Sequence, residues 1–158
     1  IDPRFPGAEA WASNSPNLYD ARGKVIGPAR PRQMNFMLWW DGDLLRELLD
    51  KTTISKWDWE NGKEIPLLSP EGLSSNNGTK ATPALQADLI GDWREEVVWR
   101  SADNRELRIY TTPYPTTHRF VTLMQDPVYR LGVAWQNTAY NQPPHTSFYL
   151  GAGKQGER

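Results

Sequence analysis

Two stretches of the chain resemble each other at an offset of 49 positions: residues 42–49 read GDLLRELL and residues 91–98 read GDWREEVV. Each begins with Gly-Asp, carries a second acid at the same place and ends in two aliphatic residues. Each is followed by a polar turn and another strand-like segment, at 54–59 and at 107–112. A fainter partial copy opens the chain at residues 7–11. A period of about 40–50 residues with several strands per unit is typical of β-propeller blades.

Local patterns in the rest of the chain also favour strands, through alternation of apolar and polar residues or short apolar runs between turns. The predicted strands are residues 36–40, 96–99, 106–111, 120–124, 129–135 and 148–150. Residues 44–50 could form a short helix, but they lack a cap and the repeat argues for a strand. We expect Trp40, Trp99 and Trp135, which lie in predicted strands, to be core residues because aromatic rings dominate cores by area.

Composition narrows the class of protein. The chain has 158 residues with 12 Gly and 13 Pro, which disfavours a helix bundle. A net charge of -1 argues against a nucleic-acid partner. The sequence has no window that approaches the ~20 apolar residues of a membrane helix. It has 0 Cys, which excludes disulfides and thiolate chemistry.

Length and repeat together predict an all-β segment of a larger β-propeller. A propeller needs at least about four blades to close, whereas this chain holds about two blades plus edge strands. We therefore expect residues 1–158 to form part of a single domain, with residues 151–158 as a polar tail. The remaining blades would then be a partner in the same protein.

Acidic residues surround the glycine of each repeat. They are Asp41, Asp43 and Glu47 around Gly42, and Asp88, Asp92 and Glu96 around Gly91. Carboxylates around a tight turn suit Ca²⁺, which takes about 6–8 oxygen ligands. The alternative is a set of solvated turn acids, with Glu95 and Glu96 paired to Arg94 or Arg100.

Two polar loops could recognise a ligand. Residues 74–80 (SSNNGTK) contain an Asn-Gly pair that favours a tight turn, and they offer amide, hydroxyl and ammonium groups suited to sugar hydroxyls and a carboxylate. Residues 135–145 (WQNTAYNQPPH) interleave four carboxamides with rings, which suits neutral polar ligands. That second loop could instead be stapled by its own amides. His118 and His145, the two histidines, are expected to be structural.

Longer stretches of the chain match a known family in one order. They are residues 34–43 (MNFMLWWDGD), 77–80 (NGTK), 87–99 (ADLIGDWREEVVW), 126–130 (DPVYR) and 133–145 (VAWQNTAYNQPPH). Together they resemble the C-terminal part of rhamnogalacturonan lyases of polysaccharide lyase family 11, over nearly the whole chain.

The resemblance implies an eight-bladed β-propeller that binds several Ca²⁺ ions and is secreted or extracytoplasmic in bacteria. It implies cleavage of rhamnogalacturonan I, as polysaccharide or oligosaccharide, between rhamnose and galacturonate by β-elimination. By the same resemblance Lys80 would lie near the chemistry, Asn77, Gly78 and Thr79 would contact substrate, and Tyr140 would contact sugar.

Lys80 suits this chemistry in two ways. As a neutral amine it could take the C5 proton of the galacturonate, and as an ammonium it could stabilise the developing charge on the carboxylate. We favour the charged role, with an Arg or Lys elsewhere in the whole protein as the base. A non-catalytic, calcium-dependent carbohydrate-binding propeller and a purely structural propeller segment are the alternatives.

Overall fold

The computed structural model describes residues 1–32, 35–138 and 141–152, and within these ranges the chain forms ten β-strands and one α-helix. The strands are β1 (Leu18–Tyr19), β2 (Val25–Gly27), β3 (Phe36–Leu38), β4 (Glu47–Asp50), β5 (Thr53–Asp58), β6 (Lys63–Leu68), β7 (Leu73–Ser74), β8 (Leu85–Ala87), β9 (Glu96–Ser101) and β10 (Leu107–Tyr110). The helix α1 spans Pro127–Ala134, and single 3₁₀ turns occupy Leu123–Gln125 and Leu150–Ala152. In the described ranges no helix is both long enough and apolar enough to cross a membrane.

The first half of the chain builds a four-stranded antiparallel sheet in the order β3-β4-β5-β6. Strands β4 and β5 form a hairpin in which Leu48 pairs with Ser55 and Leu49 with Ile54. Pro66 lies on β6, the edge strand of this order, where proline is tolerated. A separate pair, β1 and β2, precedes this sheet.

The second sheet is centred on β9. Strand β10 pairs with one edge of β9, while β7 and β8 both pair with the opposite edge, at Arg100–Ser101 and at Glu96–Val98 respectively. Strands β7 and β8 therefore follow one another along the same edge, and residues 75–84 leave that edge as a loop.

The repeat read from the sequence is confirmed as a structural repeat. Strands β4 and β9 begin at Glu47 and Glu96, which are 96 − 47 = 49 positions apart. Each glutamate reaches back seven residues: the Glu47 carboxylate accepts the Trp40 N–H at 2.9 Å, and the Glu96 carboxylate accepts the Leu89 N–H at 2.8 Å. Each Gly-Asp stretch is thus a loop tied to the strand that follows it, and the short helix considered for residues 44–50 does not form.

Gly42 is required because its loop packs closely against residues 115–116. A Cβ placed there would overlap the carbonyl oxygen of Pro115. The adjacent Thr116 hydroxyl donates to the Gly42 carbonyl at 2.8 Å. Gly91, its counterpart, is needed for a different reason, because its φ of +82° lies in the left-handed region.

The two sheets share one apolar core. Its buried members are Phe36, Leu38, Trp40, Leu49, Ile54, Val97 and Trp99. They come from β3, β4, β5 and β9 or from the residues beside those strands, so the two repeats pack against each other. The expectation that Trp40 and Trp99 are core residues is confirmed, since they are 2% and 0% exposed.

The strand predicted at 129–135 is wrong, because residues 127–134 form helix α1. The Asp126 carboxylate caps the helix by accepting the Val128 N–H at 3.0 Å, and Pro127 occupies the first turn, where a missing N–H is tolerated. Only Tyr129 and Gly132 are buried in the helix. Trp135, at its C-terminal cap, is 54% exposed and is therefore not a core residue.

The strands predicted at 120–124 and 148–150 are also wrong. Thr122 caps the 3₁₀ turn Leu123–Gln125 by accepting the Met124 N–H at 3.2 Å, which ends any extended run. Leu150 begins the second 3₁₀ turn, Leu150–Ala152. The fold of the described residues is therefore mainly β, as expected, and its one short helix follows the last strand in the chain.

Candidate functional site

The loop of residues 75–84 carries four of the residues expected to meet a ligand. Its base is closed by Asn76, whose backbone N–H donates to the Thr82 carbonyl at 2.8 Å and whose side chain donates to the Pro83 carbonyl at 2.9 Å. Between these closing bonds, residues 77–79 are exposed and Lys80 is half-buried. The loop therefore displays an amide, a hydroxyl and an ammonium group from a fixed base.

The second polar loop holds that base in place. The Asn137 carboxamide oxygen accepts a hydrogen bond from the Asn76 side chain at 2.7 Å, and its nitrogen donates to the Ala84 carbonyl at 2.5 Å. Asn137 has a φ of +63°, a conformation that asparagine tolerates better than most residues. The two loops predicted separately from the sequence are thus one connected structure.

Gln136 fixes the second loop to the sheet. Its side-chain oxygen accepts the Gln86 N–H at 2.9 Å, and its side-chain nitrogen donates to the Gln86 carbonyl at 2.6 Å. The carboxamide therefore pairs with β8 as a neighbouring backbone would. Because Gln136 directly follows helix α1, this pair ties the helix to the edge that carries the loop. Tyr140, also expected to contact sugar, lies outside the described residues.

A cleft elsewhere on the molecule has a volume of about 670 Å³. It lies between the first nine residues and the segments around Trp39, Arg46 and Tyr149. Among the residues that the structure describes, none of the predicted site residues lines it. The 75–84 loop therefore does not border this cleft.

The acids of the first repeat converge. Asp41, Asp43 and Glu47 each offer a carboxylate oxygen, and these oxygens lie within 4.8 Å of one another. Such a cluster could hold a metal ion. The two aspartates belong to the loop around Gly42, while Glu47 is the fully buried first residue of β4.

The Lys56 ammonium group lies among these three carboxylates. It donates to Asp43 at 2.7 Å, to Glu47 at 3.1 Å and also to Asp41. Burial by itself lowers the pKa of Lys56, but attraction to Glu47 and hydrogen bonds to the two aspartates outweigh it, and the pKa ends above its ordinary value. Burial raises the pKa of Glu47 to about 7, against the lowering effect of Lys56.

The acids of the second repeat have separate partners. Asp88 accepts the Gly91 N–H and the Leu123 N–H, both at 2.8 Å, and so fixes the loop and the turn before helix α1. Asp92 pairs with Arg94. Burial raises the pKa of Glu96, hydrogen bonds from two backbone N–H groups lower it, and the nearby Asp92 charge raises it. In the described part of the chain these three acids do not form a cluster like that of the first repeat.

A buried polar network that the sequence did not indicate links the two repeats. Glu95 is 0% exposed, accepts the Trp39 N–H at 2.9 Å and lies 3.8 Å from the Arg46 guanidinium. The Tyr129 hydroxyl donates to Glu95 at 2.7 Å and accepts the Asp88 N–H at 2.9 Å. Arg46 also contacts the His145 ring at 3.1 Å. Because its members come from distant parts of the chain, no local sequence pattern could have indicated the network.

Comparison with known proteins places the chain in a family. The C-terminal domain of rhamnogalacturonan lyase family 11 matches residues 1–157. The chain is 65% identical over 153 residues to the rhamnogalacturonan endolyase YesW of Bacillus subtilis (strain 168), covering 97% of this chain and 24% of that protein. It is 54% identical over 168 residues to the rhamnogalacturonan exolyase YesX of the same organism, covering 97% of this chain and 28% of that protein.

Comparison with solved structures gives the same family. The crystal structure of YesW superposes with a TM-score of 0.93 at 62% identity, over 100% of this chain and 27% of that chain. The rhamnogalacturonan lyase PL11 of Bacillus licheniformis superposes with a TM-score of 0.93 at 62% identity, over 99% of this chain and 26% of that chain. The chain belongs to rhamnogalacturonan lyase family 11 and corresponds to its C-terminal domain. It spans about a quarter of the length of the curated relatives it matches.

Proposed function

We propose that the protein containing this chain is a rhamnogalacturonan lyase, which cleaves the rhamnogalacturonan I backbone of pectin between rhamnose and galacturonate by β-elimination. The observation that carries the proposal is the 65% identity to a rhamnogalacturonan endolyase across 97% of the chain. The 75–84 loop, which displays residues 77–79 and Lys80 from a fixed base, supports it.

The proposed reaction cleaves one glycosidic linkage without adding water. A base removes the proton on C5 of the galacturonate, and that electron pair forms the C4–C5 double bond. The bond between C4 and the glycosidic oxygen breaks, and the oxygen leaves with the rhamnose and takes up a proton. Negative charge develops on the galacturonate carboxylate during proton removal, so a fixed cation beside it lowers the barrier.

In this proposal Lys80 supplies that cation, and Asn77 and Thr79 hold sugar hydroxyls. The structure supports the assignment in that all three lie on the loop closed by Asn76 and braced by Asn137. Fixing the base of the loop reduces the conformational freedom that substrate binding would otherwise have to remove. The base that removes the C5 proton is proposed to lie elsewhere in the whole protein.

The proposal is tested by incubating the intact protein with rhamnogalacturonan I and following ultraviolet absorbance of the 4,5-unsaturated product. A steady rise is expected, and mass spectrometry should show fragments carrying an unsaturated galacturonate end. A non-catalytic carbohydrate-binding propeller would instead bind the polymer and yield no unsaturated product. That outcome would overturn the lyase proposal.

For the mode of cleavage we propose internal cutting, because the identity to the endolyase is 65% and that to the exolyase is 54%. Internal cutting lowers the viscosity of the polymer while few bonds have been broken. Viscosity and unsaturated ends should be measured in the same reaction. Release of short products at constant viscosity would contradict this mode.

The architecture of the whole protein is part of the same proposal. The two larger sheets have four strands each, carry the 49-residue repeat and pack on one core, which suits two blades of a β-propeller. The rest of the protein would supply the remaining blades. Residues 1–158 would then be the C-terminal part of one propeller domain, ending in a polar tail from residue 151. Since pectin is a polymer of the cell exterior, we propose a secreted or extracytoplasmic location.

Calcium, the cation implied by the family resemblance, is proposed for the second repeat, at Asp92 and Glu96 with Asp88 beside them. Oxygen donors suit Ca²⁺, and the proposal is supported by the setting of Glu96, whose pKa is raised by burial and also by the nearby Asp92 charge. Asp92→Ala with Glu96→Ala should lower the Tm more in calcium than in EDTA. Equal losses in the two buffers would contradict calcium binding there.

A further inference from the structure

We infer that Lys56 takes the place of a metal ion at the cluster of Asp41, Asp43 and Glu47, so that the protein binds no divalent cation there. Replacing the lysine would convert the cluster into a divalent-cation site. The inference does not depend on the lyase activity, because it concerns how one repeat neutralises its own acids.

The lysine meets the geometric demands of the cluster in full. An ammonium group has three hydrogens to donate, and Lys56 directs hydrogen bonds to one oxygen of each carboxylate. The same three residues form a cluster compact enough for a metal ion. A metal ion at their centre would displace the Lys56 ammonium and leave that charge beside a divalent cation.

Strand register explains how the lysine reaches this position. Leu48 pairs with Ser55 across the β4–β5 hairpin, so the preceding residue of β4, Glu47, faces Lys56 on β5. The turn between the two strands is short, because Asp50 already pairs with Thr53, and a short turn fixes the register. Lys56 is therefore held in place by the fold of the repeat.

The second repeat provides an internal comparison. There Val97 pairs with Tyr110, so Glu96 faces Thr111, and the Thr111 hydroxyl donates to Glu96 at 3.2 Å. Thr111 thus stands where Lys56 stands in the first repeat. The position equivalent to Asp41 is 41 + 49 = 90, which is the apolar Ile90. The repeat that has an acid at this position also has the lysine, as expected for a charge-compensating pair.

Two substitutions test the inference in the intact protein. Asp43→Asn keeps an oxygen for the Leu45 N–H, which Asp43 accepts at 2.7 Å, but removes one negative charge from the cluster. The Tm difference between this variant and the parent should be the same in calcium and in EDTA. Ions bound elsewhere cancel, because each buffer compares variant with parent. A loss several degrees larger in calcium would overturn the inference.

Lys56→Thr reproduces the residue found in the second repeat. Calcium should raise the Tm of Lys56→Thr by several degrees more than it raises that of the parent, and adding Asp43→Asn should abolish this extra gain. Lys63→Thr, the same change at an exposed position of β6, is the matched control and should respond to calcium like the parent.

Each result for Lys56→Thr either supports or overturns the inference, or leaves the decision to Asp43→Asn. A Lys56→Thr variant that folds only with calcium counts as an extra gain and supports the inference, whereas a folded variant with no extra gain overturns the claim of a latent site. If Lys56→Thr folds in neither buffer, the Asp43→Asn comparison decides, since it leaves the lysine in place.

Discussion

Tyr129→Phe should destabilise the protein strongly, although it removes a single oxygen atom. The Tyr129 side chain is 0% exposed, and its hydroxyl bridges the Glu95 carboxylate and the Asp88 N–H. Loss of a hydrogen bond to a charged group costs about 1.5–3 kcal/mol, and leaving a buried amide without an acceptor costs about 1–3 kcal/mol. We therefore expect the free energy of unfolding to fall by about 3–4 kcal/mol.

Urea denaturation measures this loss, with tryptophan fluorescence as the signal, to which Trp39 and Trp93 in the cluster of Tyr129 contribute. For a urea m-value of about 2 kcal/mol per M, the midpoint should fall by about 1.5–2 M with m unchanged. Tyr149→Phe is the matched control, because that side chain is 52% exposed, and it should cost less than about 0.5 kcal/mol. A loss below about 1 kcal/mol for Tyr129→Phe would refute the hydrogen-bond argument.

Three further variants test other features. Burial raises the pKa of Glu95. This carboxyl therefore stabilises the fold below its unfolded pKa and loses that contribution as the pH rises through its folded pKa. The Tm advantage of the parent over Glu95→Gln should shrink from about pH 4 to about pH 8. Asn137→Ala should lower lyase turnover about tenfold, because the base of the 75–84 loop loses its brace. Gly42→Ala should cost about 1–3 kcal/mol by overpacking, whereas Gly78→Ala, which meets nothing within 4 Å, should leave stability unchanged.

Each of these variants has its own contradicting result. A Tm advantage that grows with pH would show that the Glu95 pKa is lowered by folding. Asn61→Ala, an exposed turn asparagine, is the control for Asn137→Ala, and equal turnover of the two variants would remove the bracing role. Equal urea midpoints for the two glycine variants would contradict the close packing at Gly42.

The repeat is the part of the fold that the sequence predicted well. The Gly-Asp pairs and the acids four residues later marked β4 and β9, and the structure shows why: the side chains of Glu47 and Glu96 bind the backbone of their own loops. Because these contacts are local, they leave a local pattern. The apolar runs before and after the two Gly-Asp stretches are local patterns as well, and they predicted the neighbouring strands.

Helix α1 was missed because its apolar residues alternate as in a strand while the helix buries little. Tyr129 and Gly132 are its buried residues, so there is no broad apolar face to produce a helical period. The available signal was Asp126 followed by Pro127, an N-cap residue with proline in the first turn.

The sequence predicted the two polar loops of the site but not the hydrogen bonds that join them. The two polar loops were indicated by their residue types, but their union through Asn76 and Asn137 depends on packing between segments 61 residues apart. Lys56 was missed because its partners are defined by hairpin register. Lys56 is the residue opposite Glu47 across the β4–β5 turn, so a prediction of the hairpin register would have indicated this pair.

The most direct test of the proposed function compares Lys80→Ala with Lys24→Ala in the intact protein on rhamnogalacturonan I. Both changes remove one ammonium group, but Lys24 lies on an exposed turn outside the loop. The initial rate of formation of unsaturated product should fall by about 100-fold or more for Lys80→Ala, as for loss of a charge-stabilising group. It should stay at the parent rate for Lys24→Ala. A Lys80→Ala rate close to that of the parent would contradict the account.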